Sequence, residues 1–122
     1  MLVDHSEHFS TDELKCKFTG NCEMDSSFME MLESLRVIYD KPMILSSAYR
    51  DPSHPREKTK TKPGMHAKGR AVDVLCLGDD AHRLLYLAIQ LGFKGIGVNQ
   101  RGEHNQRFIH LDNRETRAIW SY

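Results

Sequence analysis

Two short apolar segments that carry polar side chains at alternate positions constrain the fold more than any other feature. Residues 71–76 read AVDVLC, and residues 107–112 read RFIHLD. Successive side chains of a β-strand point to opposite faces of the sheet. The valines of the first segment would then face the core while Asp73 points away from it, and in the second segment His110 and Asp112 would leave the core together. Both segments are therefore predicted to be strands between a core and a cleft.

Helix-start signals precede two of the other segments. Ser10 and Glu13 form the pattern of a capping box, which predicts a short helix through residues 14 and 15. Asp25 is placed to cap a longer helix that ends at about Tyr39, before the break at Lys41-Pro42. Apolar residues at helical spacing predict the core face of this helix: Phe28, Met31, Leu32, Leu35 and Ile38.

The remaining segments predict one more helix and two more strands. Asp79 or Asp80 is expected to cap a helix that Gly92 ends, with an inward face formed by Leu84, Leu85, Leu87, Ala88 and Leu91. Residues 43–49 and 95–99 have the composition of strands. The final residues, TRAIWSY, are expected to be extended and packed through Trp120.

These elements indicate a single α+β domain over residues 1–122. Helices and strands are partly segregated, and no repeated strand–helix–strand crossover is evident, so we predict a mainly antiparallel four-stranded sheet with about three helices. The polar, proline-containing stretch at 51–65 is predicted to be a long mobile loop, a kind of segment that often carries function.

Charge and composition exclude some classes of partner. The chain has 17 basic and 17 acidic residues and a formal net charge of zero, so it lacks a general attraction to nucleic acid or anionic membrane. No apolar run approaches the roughly 18 residues of a membrane span. The N-terminus has no basic start before an apolar stretch, so we expect a protein made in the cytoplasm without a signal peptide. We also expect a monomer.

The alternation along the two predicted strands favours a metal site. If the strands are neighbours, Asp73 and His110 converge on the cleft, and His66, which precedes the Lys68-Gly69 turn, can fold back towards them. Two histidines and one carboxylate leave the fourth position of a tetrahedral zinc ion open, as in catalytic zinc sites. The alternative is that His66 is an ordinary surface residue.

The cysteines leave several alternatives open. Cys16, Cys22 and Cys76 form an odd set, which argues against a secreted disulfide scaffold. Cys76 is expected to be a buried strand thiol. Cys16 and Cys22 could stay free, form a local disulfide, or complete a second, closed zinc site with His5 and His8.

Several motifs occur in an order that resembles a known family. SSAYR at 46–50, HAKGRAVDV at 66–74 and FIHLD at 108–112 are similar to motifs of the D-Ala-D-Ala carboxypeptidase family of zinc peptidases. That family includes phage L-alanyl-D-glutamate endopeptidases and shares a zinc-binding core with the hedgehog signalling domain. The pattern HFS-x-x-EL-x-C at the start and H-x-D-x-R…A-x-W at the end resembles a compact branch of it.

The resemblance implies a hedgehog-like fold and a specific set of site residues. One zinc ion would be held by His66, Asp73 and His110; the alternation also selects Asp73 and His110, and His66 is the loop residue that can fold back towards them. Arg50 matches the family arginine that holds a substrate carbonyl or carboxylate. This residue could instead be an ordinary arginine at the surface or sheet edge.

The identity of the general base is the point at which this sequence departs from its relatives. Many of them have an acid three residues before the last histidine ligand, where this chain has Arg107. Asp112 is the first candidate, although it could instead orient a ligand or bind Arg114 or Arg117. Glu103 and His104, in the preceding loop, are the alternatives.

The function implied is hydrolysis of peptidoglycan stem peptides next to D-amino acids. The enzyme would be a D-Ala-D-Ala carboxypeptidase or a murein endopeptidase that acts at the bacterial cell wall, and a phage lysin is one such enzyme. Arg50 and the lysine-rich residues 56–62 would receive the anionic groups of the peptide. The alternative is a catalytically inactive module, either zinc-containing and cell-wall-binding or a structural part of a virion.

Overall fold

A five-stranded sheet with two long helices packed on its core face forms the centre of the protein. The computed structural model describes residues 1–122. Its elements in chain order are β1 (Leu2–Val3), α1 (Thr11–Leu14), β2 (Met24–Asp25), α2 (Ser26–Tyr39), β3 (Ile44–Ser47), β4 (Ala71–Leu75), α3 (Gly78–Leu91), β5 (Gly95–Asn99), a 3₁₀ turn (His104–Gln106), β6 (Phe108–Asp112) and β7 (Ala118–Ser121).

The strands of the large sheet lie in the order β3-β4-β6-β5-β7. All neighbours are antiparallel except β5 and β7, which are parallel. The predicted α+β class and mainly antiparallel sheet are confirmed, but the prediction of four strands was one too few. The final residues, expected only to be extended, form β7, which hydrogen-bonds to β5. A separate two-stranded ribbon joins β1 to β2.

Local capping explains where the first two helices begin. The Ser10 side chain accepts a hydrogen bond from the Glu13 backbone, and the Glu13 carboxylate accepts one from the Ser10 backbone, which completes the predicted capping box. Asp25 caps α2 by accepting a hydrogen bond of 2.9 Å from the Phe28 backbone. Asp40 ends α2 in the left-handed conformation, with a φ of 57°.

The third helix begins differently from the prediction. Leu77 is the residue before the first turn and offers no side-chain hydrogen bond, so neither Asp79 nor Asp80 is the cap. Both acids lie inside the first turn, where negative charge interacts favourably with the positive end of the helix dipole. Gly92 ends α3 with a φ of 95°, as predicted.

The buried face of α2 is rotated slightly from the predicted one. Ile38 was expected in the core but is 44% exposed, whereas Tyr39 is buried. Phe28, Leu32, Leu35 and Tyr39 continue the same helical stripe, and Arg83 of α3 lies over the Tyr39 ring at 5.0 Å. The helix therefore packs with its last turn against α3. None of the helices is both long and apolar enough to cross a membrane.

Candidate metal centre

The register between β4 and β6 places the two polar strand residues directly opposite each other. Asp73 pairs with His110 across this antiparallel ladder, between the pairs Val72–Leu111 and Val74–Ile109. The apolar members of those pairs belong to the hydrophobic core. Because side chains alternate along strands, Asp73 and His110 lie on the other face of the sheet. The predicted convergence of the two residues is thus a consequence of strand pairing.

A tight turn brings His66 to the same place. The His66 carbonyl accepts hydrogen bonds from the Gly69 and Arg50 backbones, and the chain then enters β4. Gly69 has a φ of 69°, and a Cβ there would lie 2.1 Å from the Glu23 carbonyl oxygen. Only glycine fits this turn without a shift of the backbone.

The three side chains form one compact and buried group. His66 Nε2 lies 3.4 Å from Asp73 Oδ1, and His110 Nδ1 lies 3.0 Å from the same oxygen. Zinc bonds of about 2.0–2.2 Å in a tetrahedron separate ligand atoms by roughly 3.3 Å. The donor set and its spacing therefore fit a zinc ion. A second acid–histidine group, Glu7, His8 and Glu33, lies towards the surface.

Each histidine is oriented by a partner on its opposite ring nitrogen. His66 Nδ1 is 2.7 Å from the Ala48 carbonyl oxygen. His110 Nε2 is 2.7 Å from Asp112 Oδ2. When these nitrogens donate to their oxygen partners, the lone pairs of His66 Nε2 and His110 Nδ1 face Asp73. Such partners fix the ring orientation and the tautomer of metal-binding histidines.

In the absence of a metal ion, the charges within this group keep the carboxylates beside the two imidazole rings ionised. Burial alone would raise the pKa of Asp73, but the imidazoles of His110 and His66 outweigh it and hold the pKa well below its usual range. Burial would lower the pKa of His110, yet Asp112 and Asp73 raise it. The group therefore concentrates negative charge on its carboxylates, which suits a bound cation.

Asp112 lies behind His110 and not on the open side of the group. Its side chain is fully buried, and its carboxylate accepts hydrogen bonds from the Arg114 backbone at 3.0 Å and from the Arg114 guanidinium at 2.6 Å. Burial would raise its pKa, but His110 and Arg114 hold it well below its usual range. His110 and Arg114 thus occupy the oxygens of the first candidate for the general base. The same contacts are those expected of the alternative, a carboxylate that orients a ligand and binds Arg114, and the role of Asp112 stays a prediction.

Two glycines of β5 make room for the residues that flank His110. Gly95 is paired with Asp112, and a Cβ at Gly95 would lie 1.9 Å from Asp112 Oδ1. A Cβ at Gly97 would lie 2.5 Å from the Trp120 indole nitrogen. Trp120 in turn lies 5.0 Å from the His110 ring. The Gly-Ile-Gly pattern in the sequence indicates a strand that carries no side chains on one face at these positions. From the sequence we predicted only the strand.

Arg50 lies beside the metal-binding group, as predicted, and a buried acid holds it there. Its guanidinium is 3.7 Å from Asp73 Oδ2 and 3.5 Å from Glu57 Oε2. Glu57 is 4% exposed and also accepts hydrogen bonds from Lys60 at 3.0 Å and from the Gly64 backbone at 3.2 Å.

Sequence reasoning missed Glu57 and treated its loop only as a basic, mobile segment. Burial would raise the pKa of Glu57, but Lys60, the Gly64 amide and Arg50 lower it. The available signal was a single acid among lysines and arginines at 56–62.

The other base candidates lie apart from the group. Glu103 and His104 are exposed in the turn that precedes β6. The Arg107 guanidinium donates to the Gly102 carbonyl at 3.1 and 3.2 Å and helps to close that turn. The structure therefore brings together His66, Asp73, His110, Arg50 and Asp112, and it leaves Glu103 and His104 outside.

The cysteines do not form the second zinc site that was considered from the sequence. All three are free, so Cys16 and Cys22 do not form a disulfide. His5 pairs with Asp4, and His8 pairs with Glu33 at 2.6 Å, so both rings have partners other than sulfur. Burial, with a contribution from nearby acids, raises the pKa of the Cys22 thiol to about 11, which disfavours the thiolate that would bind a metal.

A cleft of about 440 Å³ opens onto the metal-binding group. We call it the metal cleft, and its walls include His66, Asp73, His110, Trp120 and Tyr122. Asp73 is the only carboxylate among its lining residues. A peptide that enters the metal cleft would therefore meet the three candidate ligands, aromatic rings and cationic groups.

Comparison with known proteins identifies a family. The family model described as Peptidase M15 matches residues 7–112. This range contains His66, Asp73, His110 and Arg50 and stops at Asp112. No curated protein sequence matches the chain.

Proposed function

The chain belongs to the peptidase M15 family of zinc peptidases, and on that premise we propose that it is a zinc-dependent peptidase of peptidoglycan stem peptides. It would cut a bond next to a D-amino acid at the bacterial cell wall, as a carboxypeptidase or as an endopeptidase such as a phage lysin. The observation that carries this proposal is the buried His66–Asp73–His110 group at the base of an open cleft.

The proposed zinc ligands are His66 Nε2, Asp73 and His110 Nδ1, because these atoms face one another. Bound zinc supplies an activated water near neutral pH and polarises the carbonyl of the scissile bond. The Ala48 carbonyl and Asp112 keep the two rings in place. Asp112 is therefore proposed as a positioning residue.

Arg50 is proposed to bind the substrate. Its guanidinium lines the metal cleft next to Asp73, and Glu57 restricts its orientation. A fixed guanidinium can donate hydrogen bonds to a carbonyl or carboxylate of the peptide. It would also stabilise negative charge that develops on the carbonyl oxygen during hydrolysis.

Digestion of purified muropeptides, followed by mass spectrometry, tests this proposal. Zinc-loaded protein should release either a terminal D-alanine or a fragment cut beside D-glutamate. A chelator should stop the release, and His66→Ala should lose it at least about a thousandfold. His82→Ala, which changes an exposed histidine of α3, is the matched control and should keep full activity. Zinc-loaded protein that releases nothing from any muropeptide contradicts the peptidase assignment.

One observation favours a second candidate, a zinc-containing module that binds cell wall without cutting it. Asp73 is the only carboxylate that lines the metal cleft, and Arg107 stands where many relatives have an acid. A site without a free carboxylate lacks the usual proton acceptor for water attack. Retention of zinc and binding to peptidoglycan sacculi, with no fragment released, would identify this module.

A further inference from the structure

A second cleft continues from the metal cleft and is lined by basic side chains. We call it the basic cleft; it has a volume of about 520 Å³ and shares Arg50, Arg56 and Asp73 with the metal cleft. Lys15, Lys17 and His54 also line it, and Asp73 is its only carboxylate. Its cationic groups thus begin beside the metal-binding group and extend away from it.

Two of these cations have no acidic partner in the folded protein. Lys15 pairs with Asp12 at 3.1 Å, and Arg50 pairs with Glu57 and Asp73. Lys17 donates only to the Ser46 carbonyl at 2.8 Å, and Arg56 forms no salt bridge. Carboxylates offset the charge of Lys15 and part of the charge of Arg50, so Lys17 and Arg56 are the cations of this cleft whose charge no carboxylate offsets.

The basic cleft follows a strand that leads to the metal centre. β3 is one of the two edge strands of the large sheet, and Ser46 and Ser47 form part of the cleft wall. Ser47 is paired with Asp73 in the sheet register. A peptide that lies along this edge would therefore have one part beside Lys17 and another part beside Asp73.

The surroundings of His54 agree with a positive potential in this cleft. Burial lowers the pKa of its imidazole, and the nearby charges of Arg50 and Arg56 lower it further. The ring is fixed by an edge contact with Phe18 at 6.0 Å and by a hydrogen bond from the Arg56 backbone at 3.0 Å. His54 therefore forms a fixed wall next to the two free cations.

We propose that the basic cleft binds a carboxylate-bearing segment of the peptide substrate through Lys17 and Arg56. The protein would then select stem peptides with a free α-carboxyl on D-glutamate over peptides in which that carboxyl is amidated. Charge-assisted hydrogen bonds to a carboxylate are roughly twice as strong as neutral ones, and an amide loses them. This inference rests on the proposed function because it names which substrate the same site prefers.

Calorimetric titration of zinc-loaded protein with two synthetic pentapeptides tests the inference. The peptides are L-Ala-γ-D-Glu-L-Lys-D-Ala-D-Ala and its counterpart with the D-glutamate α-carboxyl amidated. Wild-type protein should bind the free-carboxyl peptide about fivefold more tightly, the upper range for one partly exposed ion pair. Arg56→Met and Lys17→Met should each reduce this preference. The matched controls, Arg101→Met and Lys41→Met, remove the same charge from exposed positions outside both clefts and outside residues 56–62, and should keep it.

The outcomes separate this inference from the peptidase assignment. Equal binding of the two peptides by the wild type overturns the inference, as does an equal loss of preference in the cleft variants and the controls. Release of D-alanine, or of a fragment cut beside D-glutamate, is followed on the same samples. A carboxylate preference without release of either product supports the basic cleft and contradicts the peptidase. Release of a product without a preference for the free carboxyl contradicts the basic cleft and supports the peptidase assignment.

Discussion

The two histidines of the metal centre are held by different kinds of structure. His110 stands in the middle strand of the large sheet, between Asp73 on one neighbour and Gly97 on the other. His66 stands in a turn and bonds the Ala48 carbonyl. We call the surroundings of His110 the sheet side and those of His66 and Arg50, including Glu57, the loop side. The sheet side fixes its groups by backbone register and close packing, whereas the loop side fixes them by polar contacts.

This difference predicts unequal tolerance to small changes. On the sheet side, neighbouring strands leave no space for an added atom. On the loop side, Gly69 is equally confined, but the side chains around Glu57 include ones with exposed ends that can move. We expect the largest effect for Gly95→Ala on the sheet side and the smallest for Glu103→Gln, which lies on neither side; Gly64→Ala is paired with Gly95→Ala as its matched change on the loop side.

Gly95→Ala should have the largest effect. Its Cβ would lie within 2.3 Å of three atoms of the buried Asp112 carboxyl group, so the strand or the carboxylate must shift. We expect a loss of about 3–4 kcal/mol in the free energy of unfolding, at the upper end of single substitutions. Denaturant unfolding of the metal-free protein measures it.

Gly64→Ala is the matched change on the loop side. Its Cβ would approach Lys60 Nζ at 2.9 Å and Glu57 Oε1 at 3.3 Å, and the lysine end is flexible. We expect a loss below about 1 kcal/mol. Equal losses for Gly64→Ala and Gly95→Ala would contradict the contrast between the two sides.

Asp112→Asn tests how the sheet side orients His110. The amide keeps the shape of the side chain but loses the charge that His110 and Arg114 bind. Zinc affinity should fall about 10- to 100-fold, as for other partners of metal-binding histidines. Competition with a zinc chelator measures it, and Asp79→Asn, in the exposed first turn of α3, is the control.

The same variant separates a positioning role from a role as general base. If Asp112 positions His110, peptidase activity should largely return when zinc is saturating. A loss that persists at saturating zinc, with normal zinc content, would restore Asp112 as the base.

Glu57→Gln tests the loop side. Replacement of this buried carboxylate weakens its bonds to Lys60 and Arg50, and we expect a loss of about 1–2 kcal/mol in the free energy of unfolding at neutral pH. The KM for peptide should rise more than kcat falls, because Arg50 loses its fixed orientation. Glu30→Gln, at an exposed position of α2, is the control.

The Glu57 contribution should depend on pH in a defined direction. Its folded-state pKa is lowered, so its stabilisation is complete above the unfolded-state pKa of about 4.3 and disappears as pH falls through the folded-state value. In metal-free protein, the stability difference between wild type and Glu57→Gln should therefore shrink below about pH 4. A difference that grows in acid would show that Glu57 is not held as a charged group.

Glu103→Gln should have the smallest effect. Glu103 is exposed and lines neither cleft, so we expect kcat to change less than about twofold and stability by less than about 0.5 kcal/mol. Steady-state hydrolysis of a muropeptide measures kcat. A loss of a hundredfold would instead show that the turn before β6 closes over the substrate and supplies the base.

Part of the fold and of the site could be predicted from the sequence because it depends on local patterns. Alternation along residues 71–76 and 107–112 placed Asp73 and His110 on one face, and the capping box at Ser10 located α1. The fifth strand could not be predicted, because the pairing of β7 with β5 depends on a register between distant segments.

The residues that support the site were harder to predict for the same reason. Glu57 is buried only because Arg50, Lys60 and the Gly64 amide surround it after the loop folds. Asp112 is held behind His110 because Gly95, on the adjacent strand, leaves space for its carboxylate. The environment of Glu57 leaves no periodic pattern in the sequence, and the Gly-Ile-Gly pattern at 95–97 does not show which strand Gly95 will face.

The most direct test of the proposed metal centre is anomalous X-ray diffraction at the zinc edge from crystals of zinc-loaded protein. We expect one zinc peak bonded to His66 Nε2, to Asp73 and to His110 Nδ1, with His110 Nε2 still hydrogen-bonded to Asp112. The absence of a peak at this group, or zinc bonded to His110 Nε2 and Asp112 in place of Asp73, would contradict it.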